Sequence, residues 1–344
     1  MLSRKGNNAP HIFALFDGIG ALCFAVTHST FYISLNIDVN LLSCQMNIEQ
    51  LNANYGITDK VKFVEGQGNF PLIKISNEYA EATISVYAGQ VLSFKPVGQT
   101  EDMMFVSSQA YYQTGKAIKG GTPICWPWFG PDPEGKGRAS HGFVRDRLWQ
   151  VRDVVSTQNG ATQVTMGLVD TSETRAIWNY SFDFSIVITV GQILTINLVT
   201  RNTGSESFAI TQALHTYFKI GDLNQVRVLG LVDKAYIDKV DRGQQKTQSG
   251  AITFSGECDR IYLDVPAQLT IEDRALNRQI TVTATNSKTA IVWNPGADIS
   301  AKMADLGDRD YEHFVCVETA NAANEIIEIA AGDDYNLTAN YSFQ

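Results

Sequence analysis

The sequence of 344 residues contains few charged groups, since Asp, Glu, Lys and Arg together make up only 18% of it. This scarcity argues against a disordered chain and against a long coiled coil, both of which are rich in charge. Five scattered cysteines without a Cys-x-x-Cys pair argue against a disulfide framework and a zinc site, and favour a reducing, cytoplasmic compartment. The formal net charge of −9 argues against nucleic acid or an anionic membrane as a partner.

The sequence also lacks the fingerprints of common nucleotide-binding folds. It contains no phosphate-binding loop, no Gly-x-Gly-x-x-Gly segment, no heptad pattern and no internal repeat. After Met46, no apolar run approaches the roughly 18 residues that a membrane-spanning helix needs. We therefore expect the body of the chain to be soluble.

The N-terminal stretch differs from the rest in composition. Residues 12–42 are mostly apolar or small, yet Asp17 interrupts them and no clear Ala-x-Ala cleavage site follows. Three interpretations stay open: a spurious extension ahead of a start at Met46, a targeting segment, and an ordered part of the fold. We expect residues 1–45 to be an extension and residues 46–344 to form one domain, since all-β domains often exceed about 200 residues.

Alternating apolar and polar residues predict strands along most of the chain after about residue 60. Apolar side chains occupy every second position of 182–190 and again of 194–198. The Gly191-Gln192 pair between these runs predicts a two-residue type II′ hairpin turn. Shorter alternating runs lie at 164–168, 226–228 and 280–284.

Helical spacing is confined to the region around 172–179, where Asp170 and Glu173 have the spacing of a capping box. A chain with many strands and few helices favours an all-β architecture. The sequence therefore predicts a large antiparallel β-sandwich.

Between residues 119 and 133 aromatic residues and prolines replace the alternating pattern. Proline removes the hydrogen-bond donors that a regular central strand needs, so a rigid, aromatic-walled loop is predicted. Its aromatic residues either plug the core or form a stacking wall for a sugar ring, and the residues alone leave both open. They are Trp126, Trp128 and Phe129.

Two later segments carry groups that can bind an anion or move a proton. His141 and Arg145 flank a loop containing glycine, and a guanidinium suits two parallel bonds to a phosphate. His215 lies among apolar and aromatic neighbours and Glu318 ends an apolar run, so burial would bring the titration of both towards neutral pH. They would form an acid/base pair if the fold joins them; a core histidine and a solvated carboxylate are the competing interpretations.

Six motifs in a fixed order together resemble one enzyme family. They are GGTPICWPWFG, HGFVRDRLW, ALHTYFKIGD, CDRIYLD, VWNPG and FVCVETA. In this order they resemble the hexose-6-phosphate mutarotases, the glucose-6-phosphate 1-epimerases of the aldose 1-epimerase superfamily, from about Ala82 to about Glu328. The resemblance implies a galactose mutarotase-like supersandwich. It also implies interconversion of the α and β anomers of D-glucose 6-phosphate, a small sugar phosphate, without cofactor or metal.

The resemblance also implies roles for individual residues. His215 corresponds to the general acid and Glu318 to the general base. Asp259 corresponds to a ligand of a substrate hydroxyl. His141 and Arg145 correspond to ligands of the sugar and of the phosphate, respectively.

Lys119 departs from the family, which usually has an arginine before the paired glycines. Lysine binds a phosphate as a point charge and lacks the bidentate fork of arginine. Because the chain is acidic overall, a phosphorylated substrate has to be held by a local basic cluster. Arg145 and Lys119 are the candidates for this cluster.

Three other functions stay open at this point. The chain could act on free aldoses, or bind carbohydrate without catalysis. It could also be a glycoside hydrolase with Asp259 and Glu318 as paired carboxylates, about 5 Å or about 6.5–9.5 Å apart. We expect a monomer.

Overall fold

A computed structural model describes residues 47–344, together with the backbone of two short paired strands, Leu15–Phe16 (β1) and Leu22–Cys23 (β2). Apart from those two strands, the expectations for residues 1–45 lie outside the described residues. The segment Asn47–Gln344 forms one compact unit. Among the described residues, no helix combines the length and the apolar character needed to span a bilayer.

Antiparallel strands make up most of the described chain. In chain order they are Val61–Glu65 (β3), Pro71–Ser76 (β4), Ala80–Ser85 (β5), Gln90–Pro96 (β6), Ile124–Cys125 (β7), Gln150–Ser156 (β8), Thr162–Val169 (β9), Phe182–Val190 (β10), Leu194–Asn202 (β11), Phe208–Ile210 (β12), Gln212–Leu214 (β13), Tyr217–Lys219 (β14), Val226–Leu229 (β15), Ala235–Asp238 (β16), Gln244–Thr247 (β17), Cys258–Leu263 (β18), Gln268–Asp273 (β19), Arg278–Thr285 (β20), Thr289–Asn294 (β21), Phe314–Asn321 (β22), Ile327–Ile329 (β23) and Asp334–Phe343 (β24).

Short helices connect some of the strands. The α-helices are Ile48–Tyr55 (α1), Ser172–Ile177 (α2) and Gly296–Ser300 (α3), and 3₁₀ turns lie at Gln67–Asn69, Leu223–Gln225 and Asp310–His313.

The strands form two eight-stranded sheets with smaller sheets beside them. Sheet I has the order β15-β19-β20-β24-β11-β10-β9-β8. Sheet II has the order β17-β16-β18-β21-β22-β13-β7, and its eighth strand, β14, also pairs with β22. A four-stranded sheet, β3-β4-β5-β6, and the pair β12-β23 complete the described sheets.

Side chains from the two large sheets meet in a common core. In β10 and β11 nearly every second residue is buried, as expected of strands with one face against a core. The Thr216 hydroxyl, between β13 and β14, lies 2.8 Å from the Tyr341 hydroxyl of β24. Phe218 contacts the same tyrosine edge to face, with ring centroids 5.2 Å apart. These contacts confirm the predicted antiparallel sandwich.

Trp126 belongs to this core rather than to a sugar-facing wall. Its ring is fully buried and stacks on Phe184 of β10 at 4.4 Å, and its indole N–H donates to the Thr200 hydroxyl of β11 at 2.9 Å. Trp178 and Phe182 cover its edges. The sequence left two interpretations open, a plug of the core and a stacking wall for a sugar. For Trp126 the structure supports the plug of the core.

Local details differ from the sequence prediction at two places. The hairpin between β10 and β11 pairs Val190 with Leu194, so its loop has three residues and is not the predicted two-residue turn. Helix α2 begins and ends close to the predicted bounds, but its capping box is formed by Thr171 and Thr174. Asp170 instead accepts a hydrogen bond from the Phe182 backbone N–H. Helices α1 and α3 were not predicted.

The position of Trp126 leads to a stability prediction. Trp126→Ala removes a fully buried ring and leaves the Thr200 hydroxyl without its partner, so we expect a loss of about 3–5 kcal/mol in the free energy of unfolding. Urea unfolding followed by fluorescence or circular dichroism measures it. Val97→Ala, at a side chain that is 70% exposed, should change stability by less than about 0.5 kcal/mol. A loss below about 1 kcal/mol for Trp126→Ala would contradict its placement in the core.

Candidate active site

The register of sheet II brings His215 opposite Glu318. Strand β13 pairs Leu214 with Thr319, and β14 pairs Tyr217 with Cys316, so both strands run along β22 in one continuous register. His215 lies in the gap between them, at the position facing Glu318. Directly opposite residues of antiparallel strands project to the same face, about 5 Å apart at Cβ. The fold therefore joins two groups that are far apart in sequence.

The two side chains are close and shielded from water. His215 Nε2 lies 3.4 Å from Glu318 Oε1, and the side chains are 12% and 1% exposed. Every residue of β22 is buried, which explains the burial of Glu318. Two buried atoms of the pair, His215 Nδ1 and Glu318 Oε2, have no hydrogen-bond partner among the described residues. Such atoms are able to bind a ligand.

Burial shifts both groups towards their uncharged forms. It raises the pKa of Glu318 well above 4.5; the negative charge of Asp259 adds to this effect, whereas Arg145 opposes it. For His215 the expectation from the sequence was wrong: burial lowers its pKa well below 6.5, away from neutral pH, and the positive charges of nearby groups lower it further. Burial therefore favours a protonated Glu318 beside a neutral His215.

His141 lies beside this pair with a defined tautomer. Its ring centroid is 5.9 Å from that of His215, and its Nδ1 accepts a hydrogen bond from the Gly130 N–H at 3.2 Å. Nε2 therefore carries the proton of the neutral ring. Burial, followed by the charges of Arg145 and Lys119, lowers the pKa of His141 to about 3. His141 is thus a neutral hydrogen-bond donor at physiological pH.

The glycine after His141 is required by close packing of the backbone. Gly142 has φ of 74°, and a Cβ there would lie 1.7 Å from the Trp126 carbonyl oxygen. Only glycine fits this position without displacing the chain. The loop that carries His141 is therefore fixed against the core through Trp126.

Two cations, Arg145 and Lys119, lie close enough to the pair to lower the pKa of His215. The Arg145 guanidinium donates to the Ser140 carbonyl at 3.1 Å and makes no ion pair with any described residue. Lys119 Nζ, in contrast, lies 3.3 Å from Asp305 Oδ2. The sequence predicted the two cations but not this aspartate, because no local pattern marks it.

The remaining carboxylate of the site lies on a neighbouring strand. Asp259 of β18 pairs with Trp293 of β21, which in turn pairs with Cys316 of β22. Cys316 and Glu318 are two residues apart, so Asp259 and Glu318 project from the same face of sheet II. Burial raises the pKa of Asp259 to about 6. At neutral pH Asp259 is thus a partly buried acceptor for a hydroxyl group.

Aromatic side chains line the site, but not all of them are the predicted ones. Phe129 is partly exposed and contacts His141 edge to face, as a wall residue would. Trp128 is buried, and its indole N–H donates to the Ala139 carbonyl, so it supports the loop. Trp293 contacts His215 edge to face at 5.7 Å and keeps part of its ring exposed. It stands in the VWNPG motif, where no role was assigned to it.

Tyr217 is a further neighbour that the sequence analysis missed. Its ring stacks on His215 at 5.1 Å with 14° between the planes. Tyr217 lies two residues after His215 along an extended chain, so both side chains project from the same face of the sheet.

Among the described residues, no cluster of three or more His, Cys, Asp or Glu side chains could hold a metal ion.

Comparisons with known proteins agree on one family. The profile of the Aldose 1-epimerase family matches residues 71–342. A Salmonella typhimurium protein named "Putative glucose-6-phosphate 1-epimerase" is 37% identical over 252 residues, which are 73% of this chain and 83% of that protein.

Two solved structures have the same fold. A Salmonella typhimurium protein described as a putative mutarotase is 32% identical, with a TM-score of 0.78 over 84% of this chain and 95% of that one. A galactose mutarotase related enzyme from Lactobacillus acidophilus is 15% identical, with a TM-score of 0.65 over 79% of this chain and 97% of that one. The second likeness shows the galactose mutarotase-like fold alone.

The burial of Glu318 leads to a prediction about stability and pH. Because its pKa is raised in the folded protein, the folded carboxyl keeps its proton above pH 4.5, where the unfolded one loses it. Its contribution to stability is therefore complete below pH 4.5 and is lost as the pH rises through the folded pKa. Glu318→Gln, which keeps the shape, should be more stable than the wild type at pH 7–8, with a difference that shrinks towards pH 4.

Thermal unfolding from pH 4 to pH 8 measures this difference. The matched control is Glu328→Gln, on the exposed side of β23, and it should not gain stability with pH. A Glu318→Gln protein that is less stable than the wild type at pH 8 would contradict this prediction. It would show that the fold stabilises the ionised carboxylate of Glu318.

Proposed function

The chain belongs to the aldose 1-epimerase family, and on that basis we propose that it interconverts the α and β anomers of D-glucose 6-phosphate. The observation that carries the proposal is the buried contact of 3.4 Å between His215 Nε2 and Glu318 Oε1. A histidine and a carboxylate in direct contact suit the opening of a sugar ring better than the two carboxylates of a glycoside hydrolase do.

In the proposed reaction Glu318 acts as the base and His215 as the acid. Glu318 takes the proton of the O1 hydroxyl, the C1–O5 bond breaks as O1 becomes a carbonyl oxygen, and His215 gives its proton to O5. Rotation about the C1–C2 bond then presents the other face of the aldehyde. The reverse transfers close the ring as the other anomer, and no carbon changes its oxidation state.

The protons of the pair balance in each half of this reaction. Before ring opening the pair is an ionised Glu318 with a protonated His215, and afterwards it is a protonated Glu318 with a neutral His215. Only the position of one proton differs between these forms. Burial favours the second form, as the pKa directions of both groups indicate, whereas Arg145 stabilises the ionised Glu318 but disfavours the protonated His215.

Neighbouring residues would orient the sugar. His141 offers an N–H at Nε2, and Asp259 offers a carboxylate to the hydroxyl groups. Phe129 and Trp293 expose aromatic surface on which the apolar face of a pyranose could rest. These contacts would fix C1 and O5 next to the acid/base pair.

The phosphate preference rests on Arg145. Of the two cations near His215 and Glu318, Arg145 is the one without an anionic partner among the described residues. Its charge is therefore available to a phosphate. The name given to the Salmonella typhimurium relative, a glucose-6-phosphate 1-epimerase, supports the same substrate. Free aldoses are the second candidate substrates, because the other cation, Lys119, is already paired with Asp305.

The acid/base assignment predicts large catalytic losses. His215→Ala and Glu318→Gln should each lower kcat by at least about a hundredfold, because each removes one proton transfer of the ring-opening step. Exchange NMR or polarimetry of α-D-glucose 6-phosphate measures the rate above the spontaneous one. The double variant should lose little more than either single one. Near-normal turnover of either variant would disprove the role of that residue.

The controls for this experiment are a second histidine and a second glutamate. His313→Ala and Glu328→Gln change exposed side chains of the same types, and both should keep wild-type rates.

The phosphate assignment predicts a selective effect of Arg145→Ala. A charge-assisted bond to phosphate is worth roughly 1.5–3 kcal/mol, so KM for glucose 6-phosphate should rise about ten- to a hundredfold. Turnover of free glucose and galactose should barely change, since the phosphate lies away from the reacting carbon. Arg201→Ala, on the exposed side of β11, is the control.

Two outcomes would contradict this assignment. A wild-type protein that prefers free sugars would leave a general aldose mutarotase. Equal losses with both substrate classes in Arg145→Ala would assign Arg145 a structural role.

A further inference from the structure

Asp305 stands out because it neutralises one of the two cations of the site. Its carboxylate lies 3.3 Å from Lys119 Nζ, and the two side chains are 22% and 17% exposed, respectively. An ion pair with this little contact to solvent is screened less than one on the open surface. Lys119 and Asp305 together therefore contribute no net charge to the end of the site where Lys119 lies.

The loop that carries Asp305 is packed against the residues around His215. Met303 and Leu306, on either side of Asp305, contact a cluster of aromatic residues that includes Tyr217 and Trp293. Tyr217 stacks on His215, and Trp293 contacts the same ring edge to face. Asp305 thus lies on a segment that is fixed beside the acid/base pair.

The same loop is tied to the backbone of Lys119. Asp310 Oδ2 accepts hydrogen bonds from the Gly307 N–H at 2.9 Å and from the Ser107 hydroxyl at 2.8 Å. The Ser107 N–H donates to the Lys119 carbonyl at 3.1 Å. These hydrogen bonds connect the loop that carries Asp305 to the backbone of Lys119. The fold therefore holds the two partners of the ion pair close together.

Backbone constraints hold Lys119 in place as well. A Cβ on Gly120 would lie 2.4 Å from the Phe105 carbonyl oxygen, and a Cβ on Gly121 would lie 2.2 Å from the Val91 carbonyl oxygen. Only glycines allow this close approach of neighbouring chain segments. Lys119 therefore has little freedom to move away from Asp305 towards a ligand by backbone motion.

We infer that Asp305 is a specificity-determining residue that weakens the binding of anionic substrates by neutralising Lys119. This inference rests on the proposed function and concerns its substrate class. An ammonium group has three donors, so Lys119 can contact Asp305 and a phosphate together, but the carboxylate then repels the anion. Discrimination between substrates commonly uses such a repulsive group. A free aldose carries no charge, so the Asp305 carboxylate should not affect its binding.

The test is Asp305→Asn, which keeps the size and one acceptor oxygen for Lys119 but removes the charge. We expect KM for glucose 6-phosphate to fall roughly tenfold and kcat to stay unchanged. Tenfold is the approximate effect of removing one negative charge beside the phosphate dianion at a site partly shielded from solvent. kcat/KM for free glucose should stay within about twofold of the wild-type value. Asp305→Glu, which restores the charge, should return KM towards the wild-type value.

The matched control is Asp308→Asn, which removes the same charge from an exposed position of the same loop. It should leave both substrates unaffected. The inference is overturned if Asp305→Asn raises KM for glucose 6-phosphate, leaves it unchanged, or changes both substrates equally. It is also overturned if Asp308→Asn has the same effect, because general charge and not the ion pair would then be responsible.

Binding of inorganic phosphate separates this inference from the proposed function. Calorimetric titration of wild type and Asp305→Asn with inorganic phosphate requires no turnover, and the variant should bind roughly tenfold more tightly. If the wild type prefers free sugars, the proposed substrate is wrong, yet tighter phosphate binding by Asp305→Asn would still support the role of Asp305. If the wild type prefers glucose 6-phosphate and the variant binds phosphate no better, only the inference about Asp305 fails.

Discussion

A carboxylate buried in the middle of a sheet is the constraint on which the site depends. Glu318 lies on a strand whose residues are all buried, where an isolated charge would be very costly. The sheet register determines the neighbour of this carboxyl, because β13 and β14 follow one register along β22 and leave His215 facing Glu318. A shift of that register by one residue would turn His215 to the other face. Sheet pairing therefore fixes the geometry of the proposed acid/base pair.

The aromatic core extends this rigidity to the loops. Trp126 is held between the two large sheets by its stacking on Phe184 and its hydrogen bond to Thr200. Its carbonyl oxygen lies so close to Gly142 that no other residue fits there, and His141 is the preceding residue. The position of a polar group in the site thus follows from packing in the apolar interior, in keeping with the need for rigid support around a site.

The strands could be predicted because their information is local. The alternation in 182–190 and 194–198 requires only neighbouring residues, and both runs are strands in the structure. The hairpin between them was wrong by one residue, since Ile193 belongs to the loop and not to β11. The sequence could not show whether the Trp126 ring packs in the core or faces a sugar, because aromatic residues suit both environments equally well.

The long-range parts of the site required more than local patterns. The approach of His215 to Glu318 depends on the pairing of strands far apart in sequence, and only the resemblance of six motifs to a known family suggested it. Asp305 lies outside those motifs, in a loop without regular structure, and its partner Lys119 is distant in the chain. Nothing in either segment indicates the other, so this ion pair could be found only in three dimensions.

The distribution of charge in the site reflects a conflict between folding and anion binding. Arg145 and Lys119 both disfavour protonation of His215, and two uncompensated cations beside a histidine would also repel each other in the absence of a ligand. Pairing Lys119 with Asp305 relieves this repulsion without removing the cation. If the substrate is a sugar phosphate, as proposed, the carboxylate that neutralises Lys119 is then the group that repels it. Because the chain carries a net charge of −9, the long-range field gives such a substrate no help. On the proposed function, the strength of anion binding would therefore be decided within the site, by the balance between the charge of Arg145 and the charge of Lys119 that Asp305 neutralises.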